Sequence, residues 1–126
     1  MHSAPMRIPV NVRAEFEDEG KRDALRAYAE LQLRIALSEL MVPLSAVEIV
    51  LRERPFGVVK RLRCEASITF KDNQRSVYVS HAEPNGRVAI RTAARLALWH
   101  SARAVHRTGV RQTPLIVNHP LMEAVS

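Results

Sequence analysis

MRIPVNVRAEFEDEGKRDALRAYAELQLRIALSELMVP, Met6 to Pro43, changes its hydrophobic period once, and that change decides the fold. Up to Phe16 the apolar residues Met6, Ile8, Val10, Val12, Ala14 and Phe16 alternate with Arg7, Pro9, Asn11, Arg13 and Glu15. A period of two marks a strand with one buried face. Pro9 has no N–H to give a ladder, so this strand belongs at a sheet edge. Glu17 to Gly20 break the pattern and place acids where a helix start favours them. Lys21 to Met41 then run with a helical period, stopped by Pro43. Its apolar residues fill two flanks, Ala24, Tyr28, Leu31 and Ile35 on one and Leu25, Ala29, Leu33, Ala36 and Leu40 on the other. Only a narrow arc with Asp23, Arg26, Glu30 and Arg34 is left for water, which predicts a mostly buried helix.

Working outward, Val47 to Arg54 reads as a strand, and Pro55-Phe56-Gly57 as the turn after it. Val59 to Phe70 alternates Leu62, Cys64, Ala66, Ile68 and Phe70 inward with Arg61, Arg63, Glu65, Ser67 and Thr69 outward. Lys71 to Gln74 form a hairpin loop, and Arg75 to Ala82 a fourth strand. Pro84-Asn85-Gly86 precedes a second helix, Arg87 to Arg107. The order is β-α-β-β-β-α, in which strand, crossover helix and strand form a βαβ unit and hairpins extend the sheet. The fold class is α+β: a two-layer sandwich, with a four-stranded sheet and two helices on one face. Residues 1–109 form the single domain, and residues 110–126, with Pro114 and Pro120, read as an extended or partly disordered tail.

The charge is uneven. Residues 1–58 hold eight Lys/Arg against nine Asp/Glu, whereas residues 59–126 hold eleven against four, and Arg87 to Arg111 contains six arginines and no acid. That asymmetry points to a polyanionic partner, most often nucleic acid. On a helical wheel with Arg87 at zero, Ala93, Ala104, Ala97, Ile90, Ser101, Ala94, Val105 and Leu98 fill a core arc of about 140°. Arg91, Arg95, His106, Trp99, Arg103 and Arg107 fall between about 40° and 200°. Arg87 lies on the core side, in the first turn, where it can splay outward. Guanidinium forks match phosphate oxygens, and an indole can stack on a base. A solvated helix face would normally interleave acids with its bases, and this one does not.

Other chemistry is thinly represented. One cysteine, Cys64, excludes an internal disulfide framework and a thiolate metal site. His100 and His106 stand about 120° apart on their helix and cannot share a metal. Gly20, Gly57, Gly86 and Gly109 are isolated, so there is no phosphate loop. No carboxylate pair suggests acid–base work. The expectation is a non-enzyme with no cofactor, no metal and no small-molecule substrate. No apolar run reaches membrane-span or signal-peptide length, so no membrane partner and a cytoplasmic setting are expected.

Element order, the segment ALRAYAE (Ala24 to Glu30) and the Ala89-Ile90 pair opening the second helix together resemble a known family. It is the bacterial ribosome hibernation-promoting factor / ribosome-associated inhibitor family, also called sigma-54 modulation proteins, in its short form. The likeness spans residues 6 to 108. It implies a protein that binds the small ribosomal subunit in the mRNA and tRNA channel and blocks translation in starved cells, gripping through basic residues on and around the helices. Arg103 and Arg107 stand where the family pattern carries basic residues. Arg91 and Arg95 replace acids of that pattern, while Leu96, Gln32 and Ile35 replace lysines, so basic charge moves from the first helix to the second.

The resulting expectation is a ribosome-associated, rRNA-binding translation inhibitor docking on the small subunit. Arg91, Arg95, Arg103 and Arg107 would hold phosphates, Trp99 would stack, and Lys60, Arg61 and Arg63 would make secondary contacts. The alternative is a non-enzymatic protein–protein regulatory module using Trp99, Leu96 and the apolar tail, with a homodimer among its possible forms.

Overall fold

The computed structural model describes residues 8–40, 42–72 and 75–108, with side chains through Val105. Residues 110–126, and with them the expected tail, lie outside the described residues. Six elements follow one another: β1 (Val10–Glu15), α1 (Glu19–Leu37), β2 (Leu44–Phe56), β3 (Val59–Phe70), β4 (Ser76–Glu83) and α2 (Gly86–Thr108). They form a four-stranded mixed sheet in the order β1-β2-β3-β4, with two helices. β1 and β2 are parallel, a pairing that needs a crossover, and α1 supplies it. The other pairs are antiparallel hairpin neighbours.

β1 is an edge strand, as Pro9 requires, and the Pro9 carbonyl still accepts the Val47 N–H at 2.9 Å. The regular strand begins at Val10, after Ile8 and Pro9, and Met6 lies outside the described residues. Asp18 caps α1, its Oδ1 accepting the Lys21 N–H at 3.0 Å. The helix stops at Leu37, four residues before the expected Met41. There the Ser38 hydroxyl donates to the Ile35 carbonyl at 2.8 Å, giving the backbone a partner other than the next helical turn.

α1 also departs from the expected burial. Leu25, Ala29, Leu33 and Leu37 reach the core, but Leu31 and Ile35 are 52% and 54% exposed. A helix lying on one face of a sheet buries one arc, and the apolar surface of this helix is wider than that arc. Part of the charged strip does the reverse: Arg34 Nη1 donates to the Ile8 carbonyl at 2.7 Å, tying α1 to the start of β1.

β2 runs past the expected turn. Pro55 and Phe56 stay in register with Lys60 and Val59, and the turn is Gly57-Val58, with Gly57 at φ +65°. β1 pairing ends at Arg52, so the missing Pro55 N–H lies where no strand flanks β2 on that side.

Val47, Ile49, Leu51, Leu62, Cys64, Ala66, Ile68, Val77 and Val79 form the buried face of the sheet. α2 lays Ala89, Ile90, Ala93, Ala94, Ala97, Ser101 and Ala104 into the same core. Asn85 starts it, Oδ1 accepting from the Arg87 and Val88 N–H groups at 3.0 and 3.2 Å. Gly86 is needed for close approach: a Cβ there would meet Leu62 Cδ2 at 3.3 Å and the Leu25 methyls at 3.4 Å.

Candidate nucleic-acid interface

Small side chains seat α2, and the exposed residues among its described side chains are Arg87, Arg91, Arg95, Trp99 and Arg103. The row is about 24 Å long at 1.5 Å per residue. It begins beside α1, where the Arg87 guanidinium lies 4.7 Å from the Tyr28 ring centre and Arg91 Nη1 reaches the Tyr28 hydroxyl at 3.5 Å. Arg87 therefore leaves the core side the wheel assigns it and stacks outward. Arg95 follows, exposed. Beyond it Trp99 is 48% exposed and the Arg103 guanidinium lies 4.7 Å from its ring centre.

The electrostatics separate this row from the ion-paired arginines of β1, α1 and β2. Arg13, Arg22, Arg34 and Arg52 each lie within 4.0 Å of a carboxylate. Among the described ion pairs none involves α2. Of its described cations, Arg87, Arg91 and Arg103 touch aromatic rings or a hydroxyl, and none has a carboxylate within 4.0 Å. Arg107 belongs to the last turn of α2, and its side chain lies outside the described residues.

Lys60, Arg61 and Arg63 sit elsewhere. Leu62 and Cys64 face the helices, so Arg61 and Arg63 project from the opposite side of the sheet and share no surface with the α2 row. Arg61 covers the Phe56 ring at 4.4 Å, and Arg63 Nη1 donates to Ser80 Oγ at 2.6 Å. Lys60 is exposed near the β2–β3 turn. Reading Phe56 as a turn residue misses that it is an exposed ring; two further apolar residues after Gly57, Val58 and Val59, are the signal for an apolar tip.

The remaining candidates are structural. Cys64 is fully buried, and burial, then the Glu65 charge, pushes its thiol up to about 12, so it stays protonated. Burial, then Arg103, lowers the pKa of His100, whose ring meets Trp99 edge-on at 4.8 Å. His81 Nε2 lies 2.7 Å from Glu83 Oε2 at the end of β4. Among the described residues no group of His, Cys, Asp and Glu is arranged to hold a metal.

No protein-family model matches the chain, and no curated protein matches it in sequence. Solved structures do. The Protein Y N-terminal domain of Thermus thermophilus superposes with a TM-score of 0.57 at 20% identity, covering 78% of this chain and 98% of that one. The chain has the Protein Y fold. A ribosomal subunit interface protein from Coxiella burnetii matches with a TM-score of 0.51 at 9% identity, over 82% of this chain and 100% of its own. Both neighbours are consistent with the family that ALRAYAE and Ala89-Ile90 resemble. At these identities the likeness is one of fold; the Protein Y fold of this chain carries its own arrangement of arginines on α2.

Proposed function

We propose that this protein is a cytoplasmic, rRNA-binding translation inhibitor that docks on the small ribosomal subunit through α2. One observation carries the reading: an acid-free row of exposed arginines flanking an exposed indole, none of them neutralised by a carboxylate. In that reading Arg91, Arg95 and Arg103 hold phosphates, Arg107 extends the row, and Trp99 stacks on a base. The names of the two structural neighbours, a Protein Y domain and a subunit interface protein, support a ribosomal setting. Arg61 and Arg63 belong to the opposite face of the sheet, and Lys60 to the helix-side base of the β2–β3 ribbon.

Co-sedimentation with small subunits tests the proposal. Three or four phosphate contacts make affinity fall roughly 20- to 50-fold between 50 and 200 mM salt. An Arg95→Glu/Arg103→Glu variant should lose binding. A wild type that fails to sediment with subunits at low salt, or a variant that binds equally well, overturns it.

The exposed Leu31 and Ile35 support a second reading, a protein partner or a second copy held through α1, Trp99 and the 110–126 segment. Light scattering with and without residues 110–126 separates the two: a dimer that needs the segment and ignores RNA favours the protein partner.

A further inference from the structure

Beyond Arg52 and Leu62 the sheet narrows to two strands. β1 pairing ends at Glu15 with Arg52, and β4 pairing ends at Leu62 with Glu83. β2 and β3 continue alone through Arg54 with Arg61, Pro55 with Lys60, and Phe56 with Val59. Three register steps carry this ribbon about 10 Å past its neighbours. A two-stranded ribbon is marginal in water, and this one adds apolar exposure: Phe56 is 61% exposed, Val59 46%, and Val58 fully.

Its charge is equally unbalanced. Residues 54–61 contain Arg54, Lys60 and Arg61 and no acid, and the adjacent Glu53 is held by Lys21 Nζ at 2.6 Å. Arg54 and Arg61 are directly opposite each other on the face away from the helices, a like-charge pair that costs stability until an anion comes between them. Arg52 and Arg63, one step back, are also opposite, but Arg52 has Glu15 at 3.1 Å and Glu65 at 3.6 Å. The ribbon has no such relief. At its end the Arg61 guanidinium covers Phe56 at 4.4 Å, while most of that residue stays open.

We propose that the 54–61 ribbon is a second RNA-binding element: on its face away from the helices Phe56 stacks on an unpaired base, and the opposed Arg54 and Arg61 hold the flanking phosphates. Single-stranded RNA fits because it combines the two things the ribbon lacks, a flat apolar partner and closely spaced negative charge. The proposal rests on the rRNA reading for its setting, but its chemistry is separate from α2.

The test uses the full chain, a single-stranded RNA decamer and an abasic decamer of the same length. Phe56→Ala should weaken binding to the RNA about 5- to 100-fold and leave the abasic strand unchanged, and Phe56→Trp should restore it. Equal binding of RNA by wild type and Phe56→Ala overturns the proposal, as does equal loss on both strands. Phe56-dependent binding to vesicles of phosphatidylglycerol, with RNA binding unaffected, replaces RNA with a lipid surface and overturns it as well. Loss of ribosome binding in Phe56→Ala with unchanged RNA affinity points to a protein groove and does the same. If the RNA result holds while wild type ignores small subunits, the ribbon stands and the ribosomal reading falls.

Discussion

The Arg103 guanidinium rests 4.7 Å from the centre of the Trp99 ring, so the one tryptophan of the chain reports directly on the basic face of α2. An exposed cation–π contact contributes about 0.5–1 kcal/mol, enough to bias the side chain and too little to lock it. Small-subunit rRNA should therefore quench Trp99 emission, reversibly with salt. Saturable rRNA binding that leaves the emission unchanged would remove this face from the interface.

His100 makes the fold acid-sensitive. Burial lowers its pKa in the folded state, so the unfolded chain takes up the proton first. Its contribution is complete above the ordinary histidine value of 6.5 and is lost as pH falls from there through the lower folded-state value. Urea midpoints should drop between neutral and mildly acidic pH, and the drop should shrink in His100→Gln. An identical slope in both proteins would refute the assignment.

Ser101 is the opposite case, a cost carried at every pH. Its Oγ is buried on the core side of α2 with no hydrogen-bond partner among the described residues. Ser101→Ala removes an unpaired hydroxyl and adds a better helix former. The variant should gain about 1 kcal/mol, a rise in Tm of roughly 4 °C for a domain of this size. A calorimetric Tm at or below wild type would show that the hydroxyl is satisfied in solution.

Much of this fold is legible from period alone. Alternation in β3 and the alanine arc of α2 mark buried faces because each such face meets a continuous apolar layer. α1 shows where that logic stops. Leu31 and Leu33 look alike in sequence, yet Leu33 is fully buried and Leu31 half exposed, since only the placement of the helix on the sheet chooses among apolar flanks wider than the contact. The end of β2 fails for another reason. Pro-Phe-Gly reads as a turn, but Pro55 is tolerated in the strand once β1 has ended beside it, a fact of sheet width rather than of local sequence. For the site, the parity of β3 already separates Arg61 and Arg63 from the helices. Clustering basic residues by charge alone hides that separation.

The fully seated core side of α2 is Ala89, Ala93, Ala94, Ala97, Ser101 and Ala104, with Ile90 the only large aliphatic among its described buried residues and Leu96, Leu98 and Val105 partly buried against the same core. Side chains this short have almost no rotamers to choose, so the backbone itself sets how deep and at what tilt the helix rests. Any added methylene there must lift the helix, and every guanidinium on the outer side turns with it. The direction in which the arginines point is thus written in residues that no partner ever touches.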